Sequence, residues 1–182
     1  MEMYIIIGIV AALVLWLVLM YNKLIMLRNR VRNSWSQVDV VMKNRFDLIP
    51  NLLETVKGYA DYEKNTLNQL TELRTKYTTA ESVVEKADAG AQTSGLLRQL
   101  MVSLENYPDL KASENFLYLK EQLSEVEDKI RFARQFYNDA VERYNTTVMS
   151  FPANLLAGMF GFREESFFNI DEAEKAIPQV KF

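Results

Sequence analysis

The chain contains no cysteine and no histidine among its 182 residues. It therefore cannot build a thiol nucleophile, a Ser-His-Asp triad, a Cys/His zinc site or a histidine pH switch. A di-iron bundle that relies on Glu-x-x-His pairs is excluded as well. Disulfide bonds are also excluded, which fits a reducing compartment. We expect no catalytic residue, no metal and no cofactor, and a protein that is not an enzyme.

Glycine and proline are scarce, at six and four residues. Long stretches show helical periodicity, and we find no alternating pattern typical of strands. The net charge is −3, with basic residues mostly interleaved among acids. This charge gives no reason to expect a nucleic-acid partner.

The longest uncharged run is Met3–Asn22, twenty residues near the N-terminus, and it is apolar almost throughout. At about 1.5 Å per residue it is long enough for the roughly 30 Å hydrocarbon core of a bilayer. Trp16 and Tyr21 suit the membrane interface. Basic residues follow the run: Lys23, Arg28, Arg30 and Arg32. A cleaved signal peptide fits poorly, because the segment before the run is not basic, the run is long and no small-residue cleavage pattern follows.

Basic residues stay on the cytoplasmic side of a span, which predicts the topology. We expect residues 1–2 outside, a single transmembrane helix at 3–22, a cytoplasmic helical bundle at 23–150 and an apolar tail at 151–182. The basic cluster either fixes this orientation only or also contacts anionic lipid head groups.

Beyond the run, apolar residues continue with helical spacing, and several are eleven residues apart: Leu27, Val38, Ile49 and Ala60. This repeat favours a nearly straight or weakly right-handed packing. We expect the span to continue into this helix without a linker. Pro50 lies inside the pattern and should kink or split the helix, because its ring clashes with the preceding turn.

Three further helices are predicted. They cover about 62–86, about 93–105 and about 113–150, with an exposed bend at 85–95 and a connector at 106–112. The last helix carries a heptad seam, whose members are Phe116, Leu119, Leu123, Val126, Ile130, Ala133, Tyr137, Ala140 and Tyr144. The expected fold is all-α, with an N-terminal single transmembrane helix that continues into an antiparallel three- to four-helix bundle of long, coiled-coil-like helices.

The tail is apolar and aromatic but too short to cross a membrane. Its candidate assembly residues are Phe151, Leu155, Leu156, Met159, Phe160 and Phe162, and Phe167, Phe168, Ile170 and Phe182 add to its apolar character. It can fold back on its own bundle, form a subunit interface or insert shallowly into lipid. The sequence leaves these three alternatives open.

Three blocks of sequence resemble the LemA family of bacterial membrane proteins. The first contains LRNRV at 27–31, WSQVDV at 35–40, RFDLIPNL at 45–52 and VKGY at 56–59; the second is ENYPDLKA at 105–112 with Asn115-Phe116; the third is IRFARQ at 130–135, YNDAV at 137–141 and Tyr144-Asn145, followed by Phe151-Pro152. The resemblance implies a bacterial inner-membrane protein with an N-terminal anchor and a helical domain. It supplies no catalytic residue.

Polar residues inside these blocks are the candidate interaction residues. One set lies around Pro50 and the other on the last helix; together they are Asp39, Arg45, Asp47, Asn51, Arg131, Arg134, Asn138, Asp139 and Asn145. They form either a binding notch and a subunit interface, or internal hydrogen bonds that fix helix register. We expect Trp35 to pack in the core. The carboxylate pairs Glu121/Glu125 and Glu127/Asp128 read as solvated rather than metal-binding.

The sequence thus predicts a non-enzymatic scaffold or interaction module that self-assembles at the membrane. Its expected partners are membrane lipids, further copies of the chain and other membrane or cytoplasmic proteins. One alternative is a lipid-binding or membrane-remodelling protein that uses the basic cluster and the tail. The other is a signalling adaptor.

Overall fold

The computed structural model describes residues 1–57 and 64–168, apart from the side chain of Lys64. These residues form six α-helices and no strand. The helices are α1 (Glu2–Val56), α2 (Lys64–Thr79), α3 (Val83–Leu104), α4 (Pro108–Lys111), α5 (Glu114–Met149) and α6 (Ala153–Met159). The predicted all-α fold is confirmed.

The chain divides into two compact units. Unit 1 combines Met1–Ser36 with Gln135–Phe167, and unit 2 combines Gln37–Arg134 with, among the described residues, Phe168. Helices α1 and α5 therefore each contribute one segment to both units. Helices α2, α3 and α4 lie in unit 2, and α6 lies in unit 1.

Helix α1 runs from Glu2 to Val56 without interruption. Its apolar N-terminal part is long and hydrophobic enough to cross a membrane, and none of that stretch is buried inside the protein. The expected continuity of span and soluble helix is confirmed. Pro50 is accommodated inside the helix rather than splitting it.

The buried face of α1 follows a seven-residue step. The most buried positions in one row are Leu24, Val31, Val38, Arg45 and Leu52. Met42, Ile49 and Val56 form a second buried row with the same step. Two members of the eleven-residue repeat, Val38 and Ile49, lie on this face, whereas Leu27 is only partly buried. Ala60 lies outside the described residues.

The break between the second and third helices differs from the prediction. Helix α2 ends at Thr79, and α3 already begins at Val83, so 85–95 is helix rather than an exposed bend. Ser82 and Glu85 form a capping box, in which the Glu85 amide donates to Ser82 Oγ at 3.1 Å. This start signal outweighs the cost of the two glycines inside α3, which is about 1 kcal/mol each.

Helix α5 matches its prediction closely. It spans Glu114–Met149, and every residue of the predicted seam is buried within the chain. The predicted connector at 106–112 contains the short helix α4. Pro108 is the first residue of this helix, a position that proline favours, and Leu110 is buried.

The described part of the tail folds partly onto unit 1. Helix α6 buries Ala153, Leu156 and Ala157, and it ends in a Schellman motif: Gly161 has φ +69°, and the Phe162 amide donates to the Ala157 carbonyl at 2.9 Å. Residues 162–168 continue without helix. Ile170 and Phe182 lie outside the described residues.

Candidate functional site

Arg45 is the centre of a buried polar cluster in unit 2. Its Nη1 donates to Ser94 Oγ at 2.7 Å and to Glu127 Oε2 at 3.0 Å, and its Nη2 donates to the Gly90 carbonyl at 2.8 Å. Ser94 Oγ also lies 3.1 Å from Glu127 Oε1. Helices α1, α3 and α5 are thus joined by one guanidinium group.

The surroundings of this guanidinium are costly for a charge. Burial lowers the pKa of Arg45, and the nearby Arg134 acts in the same direction, while the Glu127 carboxylate opposes both. An arginine still remains protonated at neutral pH. Because Gly90 has no side chain, α3 can approach so closely that an added Cβ there would collide with the Met42 side chain.

A second polar cluster in unit 2 is centred on Asp39. Its Oδ1 accepts from Tyr77 Oη at 2.6 Å and from Lys86 Nζ at 2.8 Å. Burial by itself raises the pKa of Asp39, but the hydrogen bonds from Lys86 and Tyr77 and the charges of Lys86 and Lys43 outweigh it, so the pKa is lowered. The Tyr77 ring stacks on Phe46 at 4.3 Å between centroids.

A groove of about 240 Å³ lies beside Asp39. It is lined by Asp39, Lys43, Phe46, Asp47, Arg74, Tyr77, Thr78 and Lys86. Two acidic and three basic side chains line it, so it has no single-sign field for a charged ligand. The Tyr77 hydroxyl is not an activated nucleophile, because burial and its hydrogen bond to Asp39 raise its pKa.

The other two residues predicted near Pro50 are exposed. Asp47 lies at the groove, and Asn51 lies on the surface of α1. The four residues therefore do not form one notch around the proline: Arg45 and Asp39 bind other helices instead. In the described ranges no group of three or more acidic side chains is arranged to hold a metal ion.

The polar residues predicted on α5 have different environments. Arg131 is exposed and pairs with Asp128 at 3.0 Å, one turn away on the same helix. Arg134 is buried, with its guanidinium 4.5 Å from the centre of the Phe168 ring. Asn138 is half-buried, and Asp139 is exposed.

Asn145 holds the chain that follows α6. Its Nδ2 donates to the Glu165 carbonyl at 2.8 Å, and its Oδ1 accepts from the Glu165 amide at 2.9 Å. Tyr137 Oη donates to the Ser166 carbonyl at 2.8 Å, and its ring meets Trp35 edge-on at 5.5 Å. Burial and the charge of Glu165 raise the pKa of Tyr137 to about 12. In unit 1, Asn145 and the seam residue Tyr137 therefore tether the tail.

Two of the candidate membrane-interface residues, Tyr21 and Arg28, lie beside the end of α6. Tyr21 contacts Phe160 at 5.0 Å and Phe162 at 5.8 Å, both edge-on. The Arg28 guanidinium lies 4.9 Å from the centre of the Phe162 ring. Trp16 is partly exposed, and the three remaining basic residues are exposed: Lys23, Arg30 and Arg32.

Sequence reasoning missed the partners of Arg45 and Asp39. The sequence predicts that Glu127 lies on the solvated face of α5, yet its half-exposed carboxylate pairs with Arg45. A usable signal was present: Arg45 lies seven residues from both Val38 and Leu52 and therefore on the buried row. A charge at such a position requires a partner.

Comparison with known proteins agrees with this architecture. The chain is 25% identical over 155 residues to Protein LemA of Metamycoplasma hominis, covering 85% of this chain and 71% of that protein. It is 23% identical over 185 residues to Magnetosome protein MamQ 2 of Paramagnetospirillum magneticum. It is 22% identical over 184 residues to Magnetosome protein MamQ of Magnetospirillum gryphiswaldense. Each of these two matches covers 87% of this chain and 68% of the relative. The family model for the LemA family matches residues 34–182. The chain, a membrane-associated helical protein, belongs to the LemA family.

Proposed function

We propose that this protein is a non-enzymatic scaffold that is anchored in the bacterial inner membrane and self-assembles laterally, with its bulk on the cytoplasmic side. The observation that carries the proposal is the continuity of α1 from Glu2 to Val56. A helix without a linker transmits the orientation of the span to the residues that follow it. Orientation of this kind favours repeated contacts between identical copies.

Tethering in a plane supports assembly by weak contacts. Copies held in one membrane meet at a high effective concentration, so a surface of modest affinity is sufficient. The basic residues at 23–32 support the cytoplasmic placement, since they follow the span directly.

Helix α5 offers a surface for such contacts in unit 2. Tyr118 and Phe132 are both more than half exposed. They are two heptads apart and so lie on one outer face, with Glu125 midway between them. Tyrosine and phenylalanine are enriched in protein–protein interfaces relative to the rest of the surface.

The polar clusters support a structural rather than a catalytic role. The side chains of Arg45 and Asp39 form hydrogen bonds that join α1 to other helices. The Tyr77 hydroxyl, 2.6 Å from the Asp39 carboxylate, remains protonated because burial and this hydrogen bond raise its pKa. These arrangements set helix register, which a scaffold requires.

Single-cysteine crosslinking in membranes tests the proposal directly, because the native chain has no cysteine. Glu125→Cys places a thiol between the two aromatic residues without removing either. We expect Glu125→Cys to form disulfide-linked dimers faster than Gln99→Cys, a matched exposed position on α3. Adding Phe132→Ser to Glu125→Cys should slow the crosslinking.

Two results would count against this function. Equal crosslinking at Glu125→Cys and Gln99→Cys would indicate random collision, and a single copy per particle by photobleaching would exclude assembly. The orientation is tested with the same variant: a membrane-impermeant maleimide should label Glu125→Cys in inverted vesicles and not in intact spheroplasts.

A further inference from the structure

Helix α6 buries Ala153, Leu156 and Ala157 but leaves other large apolar side chains exposed. Four of them in this segment are between 56% and 80% exposed: Phe151, Leu155, Met159 and Phe160. No charge occurs from Phe151 to Phe162. A helix on a water-exposed surface normally turns charged and polar side chains outward, opposite to its apolar stripe. We call these four exposed residues the α6 foot.

The position of the foot along α1 is fixed by aromatic contacts inside unit 1. Phe160 meets Tyr21 at 5.0 Å between ring centroids, and Phe162 meets it at 5.8 Å. Tyr21 is the second-last residue of the uncharged run, and Lys23 follows it by only about 3 Å along the helix axis. The C-terminal end of α6 therefore lies at the level where the span meets the aqueous phase.

We propose that the α6 foot inserts into the lipid leaflet at the basic end of the span, with lipid acyl chains as its occupant. Leu15 and Leu19, which lie on the span in the same unit, are exposed to a similar extent. Their apolar side chains also need contact with lipid acyl chains. Amphipathic aromatic and apolar side chains at this depth are typical of interfacial helices. The foot and the span then form one continuous lipid-facing surface of unit 1.

The neighbouring charges fit this placement. The Arg28 guanidinium lies against the Phe162 ring, and Lys23 and Arg30 are exposed on the adjacent turns of α1. A basic side chain at the boundary reaches the head groups while its stem covers apolar surface. Lipid insertion gives unit 1 a second attachment beside the span and thereby restricts its rotation about the α1 axis. The inference stands apart from the proposed self-assembly.

A depth measurement on the full-length protein in lipid nanodiscs tests this placement. Leu155→Cys carries an environment-sensitive NBD fluorophore, and Glu164→Cys, exposed just beyond Phe162, is the matched control. We expect blue-shifted emission at position 155, quenching by phospholipids brominated on their acyl chains, and protection from aqueous iodide. The fluorophore at position 164 should show the reverse, and Met159→Cys should behave like position 155.

Two outcomes would overturn the inference. Equal iodide quenching at positions 155 and 164 would show that the foot faces water. Protection from iodide without quenching by brominated lipid would show that protein covers it. Nanodiscs that hold one copy each then show which protein covers the foot. Protection that disappears in them indicates a neighbouring copy, and protection that persists indicates other residues of the same chain. Unchanged helical circular dichroism verifies that each labelled variant is folded.

Discussion

Arg45, with a side chain only 1% exposed, lies 3.0 Å from Glu127, whose side chain is 43% exposed. The ion pair thus joins a group that water cannot reach to one that water can. Removing the arginine takes one donor from the Gly90 carbonyl, one from Ser94 Oγ and the charged partner from Glu127, although Ser94 Oγ still lies 3.1 Å from Glu127 Oε1. Breaking a buried network of hydrogen bonds and an ion pair is among the most destabilising changes in a folded protein.

We therefore expect Arg45→Met to lower the free energy of unfolding by about 3 kcal/mol, near the lower end for a broken buried pair because Glu127 can rehydrate. Chemical denaturation of the full-length protein in detergent, followed by circular dichroism, measures this loss.

Arg131→Met is the matched control, since Arg131 holds Asp128 at the same 3.0 Å but on the surface. It should change the stability by no more than about 0.5 kcal/mol. Equal effects of the two substitutions would show that burial does not determine the importance of Arg45.

Gly90 and Gly95 occupy one helix but have different surroundings. An added Cβ at Gly90 would collide with the buried Met42 side chain, whereas Gly95 has open space around it. Gly95→Ala should stabilise the protein by about 0.5–1 kcal/mol through helix propensity. Gly90→Ala should be less stable than Gly95→Ala by about 0.5–1 kcal/mol, because the buried Met42 methyl must move to make room for the new Cβ.

The comparison is made by thermal denaturation of the two variants beside the wild type. A Gly90→Ala protein as stable as Gly95→Ala would show that the Met42 side chain moves aside without cost.

Asp39 gives the protein a pH-dependent contribution to stability. Its pKa in the folded state is lowered from the usual 3.8. The folded protein therefore binds this proton less readily than the unfolded chain, so stability is present above the unfolded pKa and is lost as the pH falls through the folded pKa. Asp39→Asn should be less stable than the wild type at neutral pH, and this difference should shrink below about pH 4.

Asp139→Asn removes an exposed carboxylate from α5 and is the control. Denaturation curves from pH 7 to pH 3 measure both differences. A deficit of Asp39→Asn that stays constant with pH would mean that the loss of packing, and not the charge, is responsible.

Much of the fold follows from local pattern. The seam of α5 was predictable because nine apolar residues repeat by heptads and all of them bury. The continuity of α1 was predictable because nothing between Lys23 and Val31 breaks a helix. Such features depend only on residues close in sequence.

The remainder depends on contacts between distant segments. The two glycines at 90 and 95 indicated a bend, but Gly90 instead allows α3 to approach α1, which no local rule reveals. Likewise, the partners of Arg45 lie 49 and 82 residues away in sequence. The buried α1 row around Arg45 was hidden because a charged residue interrupts its apolar pattern.

Asn145 holds the tail through two hydrogen bonds that need an amide. Its Nδ2 donates to the Glu165 carbonyl and its Oδ1 accepts from the Glu165 amide. Asn145→Asp keeps the acceptor but replaces the donor by a charged oxygen that faces a carbonyl. We expect a loss of about 1–3 kcal/mol in the local stability of this attachment, measured as faster hydrogen exchange at the Glu165 amide.

Asn115→Asp, exposed near the start of α5, is the matched control and should leave that exchange rate unchanged. Asn145→Asp should spare amide protection in helix α3, since α3 lies in unit 2 and Asn145 lies in unit 1. Unchanged protection at Glu165 in Asn145→Asp would mean that Tyr137, which binds the Ser166 carbonyl, is sufficient to hold the tail. The double variant Asn145→Asp with Tyr137→Phe would then be required to release the tail, which would assign the attachment to Asn145 and Tyr137 together.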